Sequence, residues 1–334
     1  MSASTLTTTL FLVNRIIAPL QMIFGIIGNV FNIIIFTRRS MKRSSCSVYF
    51  LSSSINNLFV ILIALLANYL GYSPALDAWY TNTILCKLRM YFVFTPLCLI
   101  LWLTVMTSID RYLSTSRRAR FRQLSNKLTA KRFIFITIII IFLIHLHIFY
   151  FFESRGSICA FFSYDYTCFF VFFFGFVSFS CPVILMLIFG ILMIINIRQS
   201  RHRVQPIRHN QQQRFRSNEQ QLCVMLAIQV LTTTLISAPY SILIVYHFSA
   251  VTIYKYITSS NALLILYFVR QLCAIVYYSN CVFGFYTYIL TSRKFRGEFK
   301  YCFQYGMNFI VRKFHLEHYL PMRIQQMLLF NRND

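Results

Sequence analysis

The 334-residue chain is 57% hydrophobic and 12% charged, with 36 Phe and 21 Tyr; a soluble domain carries about 25% charged residues. So little polar residue cannot coat one globule, which excludes an ordinary soluble fold and makes lipid the expected solvent. The net charge of +24 falls in segments between apolar runs, so it reads as membrane topology and not as a nucleic-acid face.

A short Ser/Thr-rich N-terminal segment, residues 1–15, has neither the basic start nor the cleavage pattern of a secretory signal. Seven apolar runs follow, over 16–36, 47–70, 85–112, 133–152, 169–197, 221–248 and 262–290. Each is close to the ~20 residues that cross a hydrocarbon core as a helix. The runs are continuous and not alternating, which predicts helices and excludes barrel strands. The expected fold is an all-α membrane protein, with residues 16–290 forming a seven-transmembrane helix bundle. Most of the 32 Lys and Arg lie after odd-numbered runs and before even-numbered ones, in segments around Arg38, Arg118 and Arg203 and in the tail around Lys294. By the positive-inside rule the N-terminus is outside and the C-terminus cytoplasmic, in a multi-pass protein of the plasma membrane. The third inner segment, 198–218, is short and rich in Gln, Arg and His and reads as a solvated connector.

The third run ends in Asp110-Arg111-Tyr112, and Arg117, Arg118, Arg120 and Arg122 follow at once. An acid, a permanent cation and an aromatic are thereby placed at the membrane–cytosol boundary. Cys86 lies 25 residues before Arg111, roughly 37 Å of helix, so it belongs to the opposite, oxidising face. Its disulfide partner is sought between the fourth and fifth runs: Cys159 in mid-loop is preferred, and Cys168 at the edge of the fifth run is the alternative. His145 and His147, two residues apart, are expected on different faces of one helix. No metal-spaced cluster, nucleophile constellation or phosphate loop is present in the sequence, so neither an enzyme nor a metal or cofactor site is expected.

Seven runs, an outer cysteine opening the third and Asp-Arg-Tyr closing it resemble the rhodopsin-like family of G-protein-coupled receptors. Gly28-Asn29-Val30, Trp79, Pro182, Pro239, Asn280 and Tyr288 fit the same pattern. So does Ser292-Arg293-Lys294-Phe295-Arg296, which resembles the start of the family's short amphipathic eighth helix. That helix is expected over 291–303, with Phe295, Phe299 and Phe303 toward lipid, Cys302 as a candidate palmitoylation site, and 304–334 as a cytoplasmic tail. The resemblance further implies that Glu219, at the inner base of the sixth run, pairs with Arg111 and holds an inactive state closed.

Departures from the family are as informative. The second run has Asn57 where an acid is usual, which argues against a sodium-bound state. The sixth reads Ile236-Ser237-Ala238-Pro239, with Ser237 in place of the usual tryptophan. The seventh reads Gly284-Phe285-Tyr286-Thr287-Tyr288, keeping the tyrosine but not the proline, so that Gly284 is the expected bend. Gly190 stands where the fifth run often carries a tyrosine. An amine ligand is disfavoured, because Val93 occupies the position of the amine-binding acid.

The ligand pocket is expected among Asn68, Arg89, Met90, Val93, Tyr240, His247, Arg270 and Gln271. Arg270 is placed to meet a carboxylate or a peptide terminus, or else to anchor at the interface or pair with Glu153 or Asp165, and an aromatic, polar outer rim favours a peptide ligand. The reading is a receptor that passes extracellular ligand binding to a heterotrimeric G protein, with membrane lipids as further partners. The alternatives are a receptor-like protein that does not couple and, in a different class, a transporter. A transporter needs acids or broken helices lining a path through the membrane, and the runs supply no such acids.

Overall fold

The computed structural model describes residues 3–42, 44–70, 82–155, 158–161, 163–201, 210–247, 250 and 259–313. Trp79, Arg43, part of the third inner connector and the tail beyond Lys313 lie outside the described residues. Among the described residues, seven helical segments are long and apolar enough to cross a membrane: Thr5–Thr37, Ser45–Leu70, Thr83–Thr115, Lys127–Phe151, Asp165–Gln199, Gln221–His247 and Asn261–Tyr278. They are called the first to seventh spans below, the seventh taken together with the helix Asn280–Thr291 that continues it.

The third span is the axis of the bundle, with 67% of its most apolar stretch buried against 22–44% for the others. It packs on the second, fourth and fifth spans, the first packs on the second and seventh, and the sixth on the fifth and seventh. Asn82 starts the third span, its side chain accepting from the backbone N–H groups of Ile84 and Leu85 at 2.8 and 3.2 Å, so that donors otherwise orphaned at a helix start are satisfied. The first helix packs tightly on Asn280–Thr291 at Gly28, where a Cβ would lie 2.9 Å from Phe285 Cβ, so that a glycine is needed for this approach.

Several boundaries differ from the sequence expectation for identifiable reasons. The first helix begins at Ala3 and runs to Thr37, absorbing most of the expected N-terminal segment. Leu6, Leu10, Asn14 and Ala18 recur every four residues and are all buried, so the segment carries a packed helical face despite its Thr content. The sixth helix likewise starts early, at Asn210, and takes in half of the segment read as a connector. In the fifth span, Phe174–Ser180 widens into a π-helix just before Pro182, whose missing N–H cannot continue the regular ladder. Ser180 Oγ and Trp102 Nε1 donate to the carbonyls of Gly175 and Val177 there, at 2.9 and 3.1 Å.

The seventh span breaks at Ser279, between Ser260–Tyr278 and Asn280–Thr291, and not at Gly284, which lies within the second helix. The fourth breaks too. Lys127–Ile144 ends at His145, and a new turn starts at His147. The two imidazoles therefore do not diverge as on a continuous helix: their rings are 6.2 Å apart and inclined by 30°.

A two-stranded antiparallel hairpin, β1 (Phe152–Arg155) and β2 (Ile158–Phe161), joins the fourth and fifth spans, with Ser154 opposite Cys159. At the other end of the bundle a helix covers Arg293–Lys313, longer than expected. Its phenylalanines do not all face outward. Phe295 is fully buried against Phe36, Phe285 and Tyr288, and Phe299 packs on Phe31 and Phe285. Of the three, Phe303 is the exposed one, at 50%. Two consecutive turns of aromatic residues tie this helix to the first and seventh spans, which is why the amphipathic pattern reads as lipid-facing in sequence but is bundle-facing in the fold.

Candidate functional site

Two sites lie at opposite ends of the third span. At its N-terminal end Cys86 is joined to Cys159 of β2, with a Cα–Cα separation of 5.7 Å, which settles the choice between Cys159 and Cys168. Phe161 of β2, held by this tether, lines a cavity of about 150 Å³, smaller than the roughly 300–1,000 Å³ of drug-sized sites and suited to a compact ligand group. Phe94 of the third span, Phe170 and Phe174 of the fifth, Tyr240, Ile244 and His247 of the sixth and Arg270 of the seventh complete most of its wall. Of the residues expected in the ligand pocket, Tyr240, His247 and Arg270 line this cavity together. Asn68, Arg89, Met90, Val93 and Gln271 do not line this cavity; Met90 and Val93 pack against the core instead.

At the C-terminal end of the third span, Arg111 and Asp110 are buried, with 1% and 5% of their side chains exposed. Arg111 Nη2 donates to Asp110 Oδ2 at 2.6 Å, and Nε reaches the same oxygen at 3.1 Å. Ser45, from the start of the second span, accepts from Arg111 Nη2 at 2.6 Å while donating to Asp110 Oδ2 at 2.8 Å. Ser125, after the third span, donates to Asp110 Oδ1 at 2.8 Å. A buried ion pair is tolerated only when its remaining lone pairs and protons are satisfied, and the two hydroxyls contribute to this. Tyr112 turns away and packs on Phe189 of the fifth span, with ring centroids 5.7 Å apart. Glu219 is within the sixth helix, but its side chain lies outside the described residues, as does any contact it makes with Arg111.

Between the two ends, polar and aromatic contacts join the spans at the positions where the sequence departs from the family. Ser237 accepts from Asn280 Nδ2 at 3.1 Å, linking the sixth and seventh spans. Beside them Phe179, Tyr240 and Tyr277 form a triangle of rings with centroids 5.2–5.5 Å apart, drawn from the fifth, sixth and seventh spans. Tyr277 also donates to the carbonyl of Leu97 in the third span at 3.1 Å. Toward the Arg111 end, Tyr288 donates to Gln229 Oε1 at 2.7 Å. Asn29 donates to the carbonyl of Cys281 at 2.7 Å and accepts from Asn57 at 3.4 Å, so the first, second and seventh spans share one amide chain. Gly190 faces Val230 of the sixth span, not the seventh.

Sequence reasoning missed Ser45, Ser125, Gln229, Phe179 and Tyr277. Each acts across spans, and a lone serine or phenylalanine in an apolar run has no local signature. On the surface of the Arg111 end, Arg38 forms an ion pair with Glu298 at 3.1 Å, stacks over Tyr301 at 3.8 Å and lies 3.5 Å from Cys302 Sγ.

The family model for the 7 transmembrane receptor (rhodopsin family) matches residues 28–284, from within the first span to within the seventh. No curated protein matches the sequence. The family is one of receptors and not of enzymes, and it agrees with the seven spans, the disulfide and the buried Asp-Arg pair. The chain belongs to the rhodopsin family of seven-transmembrane receptors.

Proposed function

We propose that this receptor converts binding of an extracellular ligand, at the cavity beneath β2, into nucleotide exchange on a heterotrimeric G protein at the Arg111 end. It works in the plasma membrane with its N-terminus outside and its C-terminus in the cytoplasm. The carrying observation is Arg111 itself, a permanent cation 1% exposed at the end of the most enclosed span. Such a residue is costly to bury, and its placement suits a group uncovered when the spans move apart. Arg117, Arg118, Arg120 and Arg122 follow within twelve residues and give the same end a basic rim; part of that charge serves topology and anionic lipid.

In this reading the sixth span swings outward, separating Glu219 from Arg111 and opening a cleft for the G protein. The contacts of Ser237, Tyr240 and Tyr277 carry the ligand's effect toward it, replacing the family's usual relay residues. The Arg293–Lys313 helix rests on the membrane surface, with Cys302 as its acyl acceptor, and the ligand is a peptide that presents an acidic group to Arg270. Glu219→Gln is expected to raise ligand-independent exchange several-fold at matched receptor density, because the amide keeps the shape but not the charge that holds Arg111. Unchanged basal exchange in a variant of unchanged stability would rule out the lock.

A further inference from the structure

The cavity beneath β2 has one permanent charge. Arg270 is half-buried in its wall and lies 5.5 Å from the Tyr267 ring. Neither the Arg38–Glu298 nor the Arg111–Asp110 ion pair involves Arg270, and no carboxylate is among the residues that line the cavity with it. A guanidinium keeps its charge at any physiological pH and presents a planar fork of donors that matches a carboxylate. Next to it on the wall are Tyr240 and His247, a hydroxyl and an imidazole able to take the second edge of the same group. The rest of the wall is of another kind: Phe94, Phe161, Phe170, Phe174, Val171 and Ile244 carry no polar side-chain atom. The hydroxyl of Thr167, also in the wall, already donates to the Ser163 carbonyl at 2.9 Å.

We infer that the cavity selects a monoanionic carboxylic acid on an apolar body, alkyl or aryl, with the acid on Arg270 and the body among the phenylalanines. This rests on reading the cavity as the receptor's ligand site and gives that site its chemistry. A cationic amine is repelled by Arg270. A phosphate brings a second charge and a larger hydration shell into a wall with one cation to meet them. A lipophilic acid spends its polar group on Arg270 and buries the remainder. Two sources supply this chemistry: a free lipophilic acid, or the C-terminal aromatic or aliphatic residue of a peptide.

The test is equilibrium binding to the full-length receptor in lipid nanodiscs, without G protein. One arm compares decanoate and 4-phenylbutyrate with decanamide and 4-phenylbutanamide; the other compares Ala-Ala-Phe with its C-terminal amide. In at least one arm the acid is expected to bind roughly 10- to 100-fold more tightly than its amide, the range of a charge-assisted hydrogen bond. Arg270→Gln removes that preference, Arg270→Lys keeps most of it, and unliganded unfolding midpoints show that both variants fold. Preference in the first arm alone assigns a free acid, and in the second alone a peptide terminus. Equal binding of acid and amide, no saturable binding of any probe, or an unaltered preference in Arg270→Gln overturns the inference. Because no G protein is present, acid-selective binding by a receptor that fails to drive exchange would count against coupling alone, and the reverse pattern against the ligand class alone.

Discussion

Asp110→Asn is expected to lower the receptor's unfolding midpoint by several degrees and to raise its ligand-independent activity. The substitution keeps the size of the side chain but leaves one accepting oxygen where Ser45 and Ser125 now donate to two. What it removes is the negative charge 2.6 Å from Arg111 Nη2, in a place where the two side chains are 5% and 1% exposed. Breaking one half of a buried pair costs roughly 3–5 kcal/mol, since the remaining charge stays out of water without its counterpart. In a chain this large each kcal/mol is worth roughly 2–4 °C or less. The freed Arg111 is then more available to the G protein, so the same variant gains basal exchange while losing stability. Thermal unfolding in nanodiscs and basal exchange should therefore move in opposite directions. A variant whose midpoint and exchange both match the wild type would show that Asp110 does not restrain Arg111.

The second large effect is expected at the other end of the third span. Replacing both Cys86 and Cys159 by Ser should lower the unfolding midpoint by an amount equivalent to about 2–4 kcal/mol, the usual worth of a disulfide. The bond closes a separation of 73 residues and fixes β2 against the start of the third span. Phe161, two residues beyond Cys159, belongs to the cavity wall, so binding at the cavity should weaken along with stability. Reduction supplies the control. Dithiothreitol should lower the wild-type midpoint to that of the double variant and leave the double variant where it is. Equal midpoints in oxidised and reduced wild type would show that β2 is held by its other contacts.

These two expectations depend on features that differ in how far the sequence discloses them. Cys86 and Arg111 were legible because helix rise converts their spacing into opposite ends of one span, and the length of the apolar runs set the number of spans. Span ends were less legible, because packing sets them. Leu6, Leu10 and Asn14 extend the first helix by burying one face, and Pro182 and Ser279 alter the fifth and seventh where a donor is missing or the helix restarts. The aromatic pattern of the last helix misled for a related reason: Phe295 and Phe299 are spaced for one face, but spacing does not say whether that face meets lipid or Phe36 and Phe285. The replacements in the relay were legible as departures only. That Ser237 meets Asn280, or that Phe179, Tyr240 and Tyr277 gather at one level, follows from the register of three spans against one another.

The central claim is that this receptor activates a heterotrimeric G protein through Arg111. The direct measurement is guanine-nucleotide exchange on a panel of purified heterotrimers, mixed with wild-type receptor or Arg111→Ala in lipid nanodiscs at matched folded concentration. Wild type is predicted to accelerate exchange on at least one heterotrimer above empty nanodiscs, and Arg111→Ala to fall at least tenfold below it at equal folded concentration, even though its unfolding midpoint drops as Asp110 loses its partner. Equal exchange from the two receptors, or none above empty nanodiscs on any heterotrimer even in the Asp110→Asn and Glu219→Gln backgrounds, would contradict the claim.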